Sequence, residues 1–121
     1  MSKKILILDD DSDILEILSL VLSEAGYETL ALECGDAIFE DIANFKPDII
    51  LMDVMLGNMD GRTICQRIKT NPLTSKLPVV LISGTHDLAK SLHLPGAPDD
   101  FLAKPFDTEH LLKKLERQIV R

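Results

Sequence analysis

Five short apolar bursts alternate with longer stretches of helical spacing, and no other feature of this chain limits its fold as much. The bursts are "KILIL", "ETLAL", "DIILM", "PVVLIS" and "DFLAK". Between the first two lies "DSDILEILSLVLSEAGY", where Ile14, Leu18, Val21, Leu22 and Ala25 recur at helical intervals. Asp11 or Ser12 can cap its start, and Gly26 ends it. The next helical stretch, "GDAIFEDIANFKP", places Ala37, Ile38, Ile42 and Phe45 on one side, with Pro47 as a stop. "DGRTICQRIKTNP" carries Ile64, Cys65 and Ile68 inward, and "DTEHLLKKLERQIVR" carries Leu111, Leu112, Leu115 and Ile119. In "THDLAKSLHLPGAPD", Leu88, Leu92 and Leu94 allow only a short helix before Pro95, Gly96 and Pro98. Strand alternating with helix predicts an α/β fold: three layers around a parallel sheet, in one domain over residues 1–121.

Composition narrows the class. Apolar residues make up 45% and charged residues 27%, as in an ordinary soluble protein. The net charge is −7, from 20 acids against 13 bases, which argues against direct nucleic-acid binding. Cys34 and Cys65 stand in no CxxC or Cys/His spacing, so reduced, inert thiols are expected and structural zinc is not. After "MSKKILIL" the aspartates interrupt the apolar run, where a secretory signal needs about 7–15 apolar residues and a membrane helix about 20. A cytoplasmic protein without membrane insertion is the expectation.

The first burst ends in "DDDSD", four aspartates in five residues. Close carboxylates repel, and burial penalises their charged form, so the cluster is costly unless water or a cation screens it. It is either a solvated turn that caps a helix or one wall of a binding site. In open α/β sheets ligands bind beyond the carboxyl ends of the strands. Those ends offer Asp9 and Asp10 after the first strand, Asp53 after the third, Ser83 after the fourth and Lys104 after the fifth. With a strand order of 2-1-3-4-5 the first and third strands would be neighbours and three carboxylates would converge. Such a set suits a hard cation that keeps some of its waters, Mg²⁺ better than Ca²⁺. Ser83 and Lys104 could then donate to a phosphoryl group, with Asp53 as a carboxylate nucleophile.

The stretches "ILILDDD", "PDIILMDVMLGNMDG", "LPVVLISG" and "DDFLAKPF", in this order and at this spacing, closely resemble the receiver domain of bacterial two-component response regulators, the chemotaxis receivers among them. The resemblance runs end to end. It implies a single three-layer (βα)5 flavodoxin-like domain whose parallel five-stranded sheet has the order 2-1-3-4-5. It implies that Asp53 accepts phosphate from a sensor histidine kinase or histidine phosphotransfer protein, in a Mg²⁺-dependent reaction. Asp10 and Asp53 would ligate the metal directly, Asp9 through water, and the carbonyl of Met55 would add a ligand. Ser83 matches the switch hydroxyl, Lys104 the lysine that pairs with the phosphoryl group, and Phe101 the aromatic that swings inward. The output face would be the fourth helix, fifth strand and last helix, with a homodimer or a downstream output protein or domain as partner. Catalysis would be limited to the protein's own phosphorylation and dephosphorylation. Ending after its last helix, the chain is expected to be a stand-alone regulator or a piece of a larger one.

Departures from that family pattern fall near the site. Gly57 stands where proline is usual, Gly84 replaces the commoner alanine, and the proline-bounded fourth helix is short. Apolar Met55 is expected to hold an attacking water poorly, giving a long-lived phosphate. Other readings compete at single residues. Asp11 and Asp13 suit a cap and the surface, Ser83 and Lys104 suit plain turn and surface chemistry, and Asp60-Gly61 suits the cap of the third helix. His86, His93 and His110 have no metal-like spacing. Leu15 and Leu20 exceed one apolar stripe and serve either packing or kinase docking. An alternative places the nucleophile at Asp9, since Asp9 and Asp11 resemble a haloacid-dehalogenase-type phosphatase motif. A receiver-like module that only binds partners is a further alternative, and a flavodoxin-like cofactor carrier lacks the phosphate-cradling loop.

Overall fold

The central apolar bursts become strands that are buried on both faces, whereas the edge strand "ETLAL" is exposed at Glu28 and Ala31. The computed structural model describes residues 2–57, 59–84 and 96–119. Strands β1 (Lys4–Leu8), β2 (Glu28–Leu32) and β3 (Ile49–Asp53) join β6 (Val79–Ser83) and β7 (Asp100–Ala103) in one parallel sheet, ordered β2-β1-β3-β6-β7. Counting only these strands in chain order, that is the expected 2-1-3-4-5. A further antiparallel pair, β4 (Met55–Leu56) and β5 (Met59–Asp60), follows β3 and had no counterpart in the sequence reading.

Alternate strand residues feed two cores. Leu6, Leu8, Ile50, Met52 and Leu81 face α2 (Ile38–Phe45) and α3 (Gly61–Thr70), meeting Ile38, Ile42, Ile64, Cys65 and Ile68. Ile5, Ile7, Ile49, Leu51, Val80 and Ile82 face α1 (Ser12–Glu24) and α4 (Thr108–Ile119), meeting Leu15, Leu18, Leu22, Leu111 and Leu115. Each such side chain, removed from water, contributes about 2 kcal/mol. Leu15 is therefore core packing, which removes it from any docking face; Ile14 and Val21 are half-buried and Ala25 is exposed. The inward stripe of α1 runs 15-18-22, one step around from the expected line. Ile17 and Leu20 remain 59% and 61% exposed.

Caps set the helix ends nearest the site. Asp11 caps α1, accepting from the amides of Asp13 (2.9 Å) and Ile14 (3.4 Å). At its far end Gly26, with φ +97°, lets Tyr27 N–H reach Leu22 O, closing the last turn. Asp60 caps α3, and Asp107 Oδ1 accepts His110 N–H at 2.7 Å at the start of α4. Ala37 is the N-terminal cap of α2 and not part of its buried face. The expected short helix through Leu88, Leu92 and Leu94, with His86 and His93, lies outside the described residues. Among the described residues no helix is long and apolar enough to cross a membrane.

Candidate functional site

At the carboxyl ends of β1, β3, β6 and β7 the sheet opens into a cleft of about 760 Å³. Asp9, Asp10, Asp53, Met55, Ser83 and Lys104 all line it. Parallel pairing explains the convergence. Asp9 follows β1 and Asp53 ends β3, on neighbouring strands, while Ser83 ends β6 opposite Ala103 of β7. Lys104 follows β7, its amide donating to Ser83 O at 2.8 Å. The peptide bond from Lys104 to Pro105 is cis.

Asp9, Asp10 and Asp53 each bring a carboxylate oxygen within 4.8 Å of the others. Asp53 is 5% exposed; its Oδ1 accepts Met55 N–H at 3.3 Å and its Oδ2 accepts from Lys104 Nζ at 3.1 Å. Asp9 is 1% exposed, and its Oδ1 accepts Asp11 N–H at 3.0 Å. Asp9 Oδ2 is buried with no hydrogen-bond partner among the described residues. Burial pushes the Asp9 carboxyl up to about 6, with Asp53 and Asp10 adding to the rise and the Asp11 amide and Lys104 opposing it. A buried carboxylate oxygen without a donor, beside two further carboxylates, is a donor set that a small hard cation satisfies. The three aspartates therefore fit Mg²⁺ by ligand type.

Ser83 is buried, 4% exposed, at the cleft wall. Gly57 lies in the β4–β5 hairpin with φ +67°, a value that proline cannot reach. Phe101 lies apart from the cleft. It is half-buried against the α2–α3 core, with Lys114 Nζ 5.7 Å from its ring centre and Lys114 paired to Asp100 at 3.0 Å.

Residues 5–116 match the family described as the response regulator receiver domain. The chain belongs to that family. As a receiver it is similar to the DNA-binding dual master transcriptional regulator RpaA of Synechocystis sp., at 32% identity over 98% of this chain and 49% of that protein. Among solved structures it is similar to the signal receiver domain of a signal transduction histidine kinase from Syntrophus aciditrophicus, with a TM-score of 0.88 and 30% identity over 98% of this chain and 91% of that one. It is also similar to the chemotaxis response regulator CheY4 of Vibrio cholerae, with a TM-score of 0.86 and 25% identity over 98% and 99%. The chain spans about half the length of the curated relatives it matches.

Within this receiver the sequence reading missed one charged group. Arg62 lines the cleft beside Asp60, which had been read only as a helix cap. A base two residues after a capping aspartate was the available signal, because such a cap holds its carboxylate within reach of that side chain.

Proposed function

We propose that this receiver accepts a phosphoryl group on Asp53 from a sensor histidine kinase or histidine phosphotransfer protein. The reading rests on one observation: three carboxylates converge around a buried Asp53 whose Oδ2 is already paired with Lys104. An Asp53 oxygen attacks phosphorus, an O–P bond forms, and the N–P bond of the phosphohistidine breaks. The imidazole leaves with that electron pair and takes up one proton. Asp9, Asp10 and Asp53, with the Met55 carbonyl, would hold Mg²⁺, which supplies charge neutralisation on the transferring phosphoryl oxygens. Lys104 and Ser83 donate to the phosphoryl group. No partner substrate is turned over, so the protein is a signalling phosphoacceptor.

The rival nucleophile, Asp9, is disfavoured because Asp11, its motif partner, spends its carboxylate on capping α1. Ile17 and Leu20 on α1, beside an apolar groove that reaches Pro105 and Phe106, support docking of the phosphodonor next to the cleft. On phosphorylation, contacts to the new dianion favour one of two conformations through Ser83 and Phe101, altering the output face, of which β7 and α4 are among the described residues and the expected fourth helix is not. A homodimer or an output protein or domain would read that face. We take residues 1–121 as one receiver unit acting in the cytoplasm, without nucleic-acid contact of its own.

The test is incubation with Mg²⁺ and acetyl phosphate, or beryllofluoride, alongside Asp53→Asn, followed by intact mass and amide NMR. An Asp53-dependent adduct with shifts at Ser83, Phe101 and Lys104 is expected. No adduct and no Mg²⁺-dependent shift would instead favour a module that only binds partners.

A further inference from the structure

Arg62 is the cation in the cleft lining that phosphoryl transfer, as described, leaves unused. Five aspartates line the cleft against two cations, Lys104 and Arg62. Lys104 is committed to Asp53. Arg62 stands at the mouth, its side chain 59% exposed, clamped by Asp60. Asp60 Oδ1 accepts the Arg62 backbone N–H at 2.8 Å, which fixes the carboxylate against the start of α3. The same carboxylate accepts from Nε at 3.1 and 3.2 Å and from Nη2 at 2.8 Å. Arginine offers five N–H donors in a rigid fork. The clamp uses Nε and one edge of Nη2, and among the described residues nothing takes the remainder. That leaves a pre-oriented edge for a second anion.

Gly61 sets the start of α3 against the backbone of Asp53. A Cβ built on Gly61 would collide with the carbonyl oxygen of Asp53 and lie 3.0 Å from Val54 Cα. Gly61 N–H also donates to Val54 O at 2.7 Å. The first residue of α3 therefore touches the backbone of the phosphoacceptor, and Arg62 is the next residue. Across the hairpin Asp60 pairs with Met55, so the clamp and Met55 border the same opening.

We propose that Arg62 is a specificity-determining residue for the phosphodonor, binding the phosphoryl dianion of a small acyl phosphate at the mouth of the cleft. The inference rests on Asp53 being the phosphoacceptor. With acetyl phosphate, an Asp53 oxygen bonds to phosphorus, the P–O bond to the acetyl group breaks, and acetate leaves with the electron pair. Arg62 gives up no proton and forms no bond. It offsets the repulsion that a dianion meets from the aspartates, and raises the donor's local concentration.

The test uses the 121-residue chain with Mg²⁺ and two donors, acetyl phosphate as a dianion and phosphoramidate with a single net negative charge. Second-order rate constants are read by intact mass for wild type, Arg62→Gln, Arg62→Lys and Asp53→Asn, at two salt concentrations. Arg62→Gln is expected to slow acetyl phosphate about tenfold at low salt, with a clearly smaller loss for phosphoramidate. The gap closes at high salt, as screening requires. Arg62→Lys, which keeps the charge and loses the fork, recovers only part of the rate, and Mg²⁺ affinity, read from amide shifts, is not weakened in Arg62→Gln. Equal losses with both donors, no loss, or weakened Mg²⁺ binding would overturn the role of Arg62 while wild type still forms its adduct. No Asp53-dependent adduct in wild type overturns the phosphoacceptor reading and this proposal together.

Discussion

Lys104 reaches across the end of β6 to place its ammonium 3.1 Å from Asp53 Oδ2, joining the edge strand of the sheet to its centre. Asp53 is nearly fully buried, so without that cation its charge would face two other carboxylates with little water to screen them. Lys104→Met should lower stability in chelator by about 1–2 kcal/mol, less than a fully buried pair would cost because the lysine side chain is 33% exposed. Urea denaturation with and without Mg²⁺ checks this. The deficit should shrink when Mg²⁺ is added.

Asp9 makes stability depend on pH in a direction opposite to that of a salt-bridged aspartate. Its carboxyl sits at about 6, against 3.8 for the free group. The folded state therefore binds the proton more tightly than the unfolded chain. The contribution is complete below about pH 3.8 and is lost as pH rises through about 6. In chelator, the stability of wild type relative to Asp9→Asn should fall across that window. Mg²⁺ should flatten the fall, because a bound cation favours the ionised carboxylate. A flat difference in chelator would mean that Asp9 is not held neutral by burial.

Met55 leaves its side chain 76% exposed at the mouth of the cleft, two residues beyond Asp53. A thioether is a weak acceptor and orients a hydrolytic water poorly, whereas an amide can both donate and accept. Phospho-Asp53 should decay several-fold faster in Met55→Asn than in wild type, as water-positioning side chains in phosphoryl transfer suggest. Mass spectrometry of the adduct over time gives the half-lives, and equal values refute the idea.

The two thiols should behave differently. Cys65 is fully buried among α3 side chains, and burial pushes its thiol up to about 12, while Cys34 is exposed. Titration of the native chain with an aromatic disulfide should release one equivalent, traced to Cys34 by peptide mapping. The second should appear only on unfolding, since the thiolate is the reactive form. Both thiols reacting at one rate in the native chain would contradict the packing of α3.

Legibility in the sequence followed the range over which each signal acts. The runs at Ile5–Leu8 and Val79–Ile82 read as buried strands because an uninterrupted apolar stretch has few other uses. Asp9, Asp10, Asp53, Ser83 and Lys104 could be named because each stands at the carboxyl end of such a run. The order of the strands could not be derived from patterning, since alternation is the same for many orders, and came from the resemblance to receivers. Ile14 and Leu15 both satisfy helical spacing on α1, and only the seat of the helix on the sheet selects Leu15. The β4–β5 hairpin is too short to carry a period. Arg62 reads as a solvated residue in a helix's first turn, and its position depends on how closely Gly61 approaches Asp53.

That approach gives two adjacent positions opposite tolerance to substitution. At position 61 any side chain strikes the backbone of Asp53, so a substitution there must displace that strand end. At position 62 the side chain lines the cleft mouth, half out in solvent and held by Asp60 alone among the described residues, so exchange costs the fold little. With Asp53 and Arg62 in their proposed roles, a lineage could retune which phosphodonors it answers by drifting at one residue, while its neighbour keeps the reacting centre unchanged.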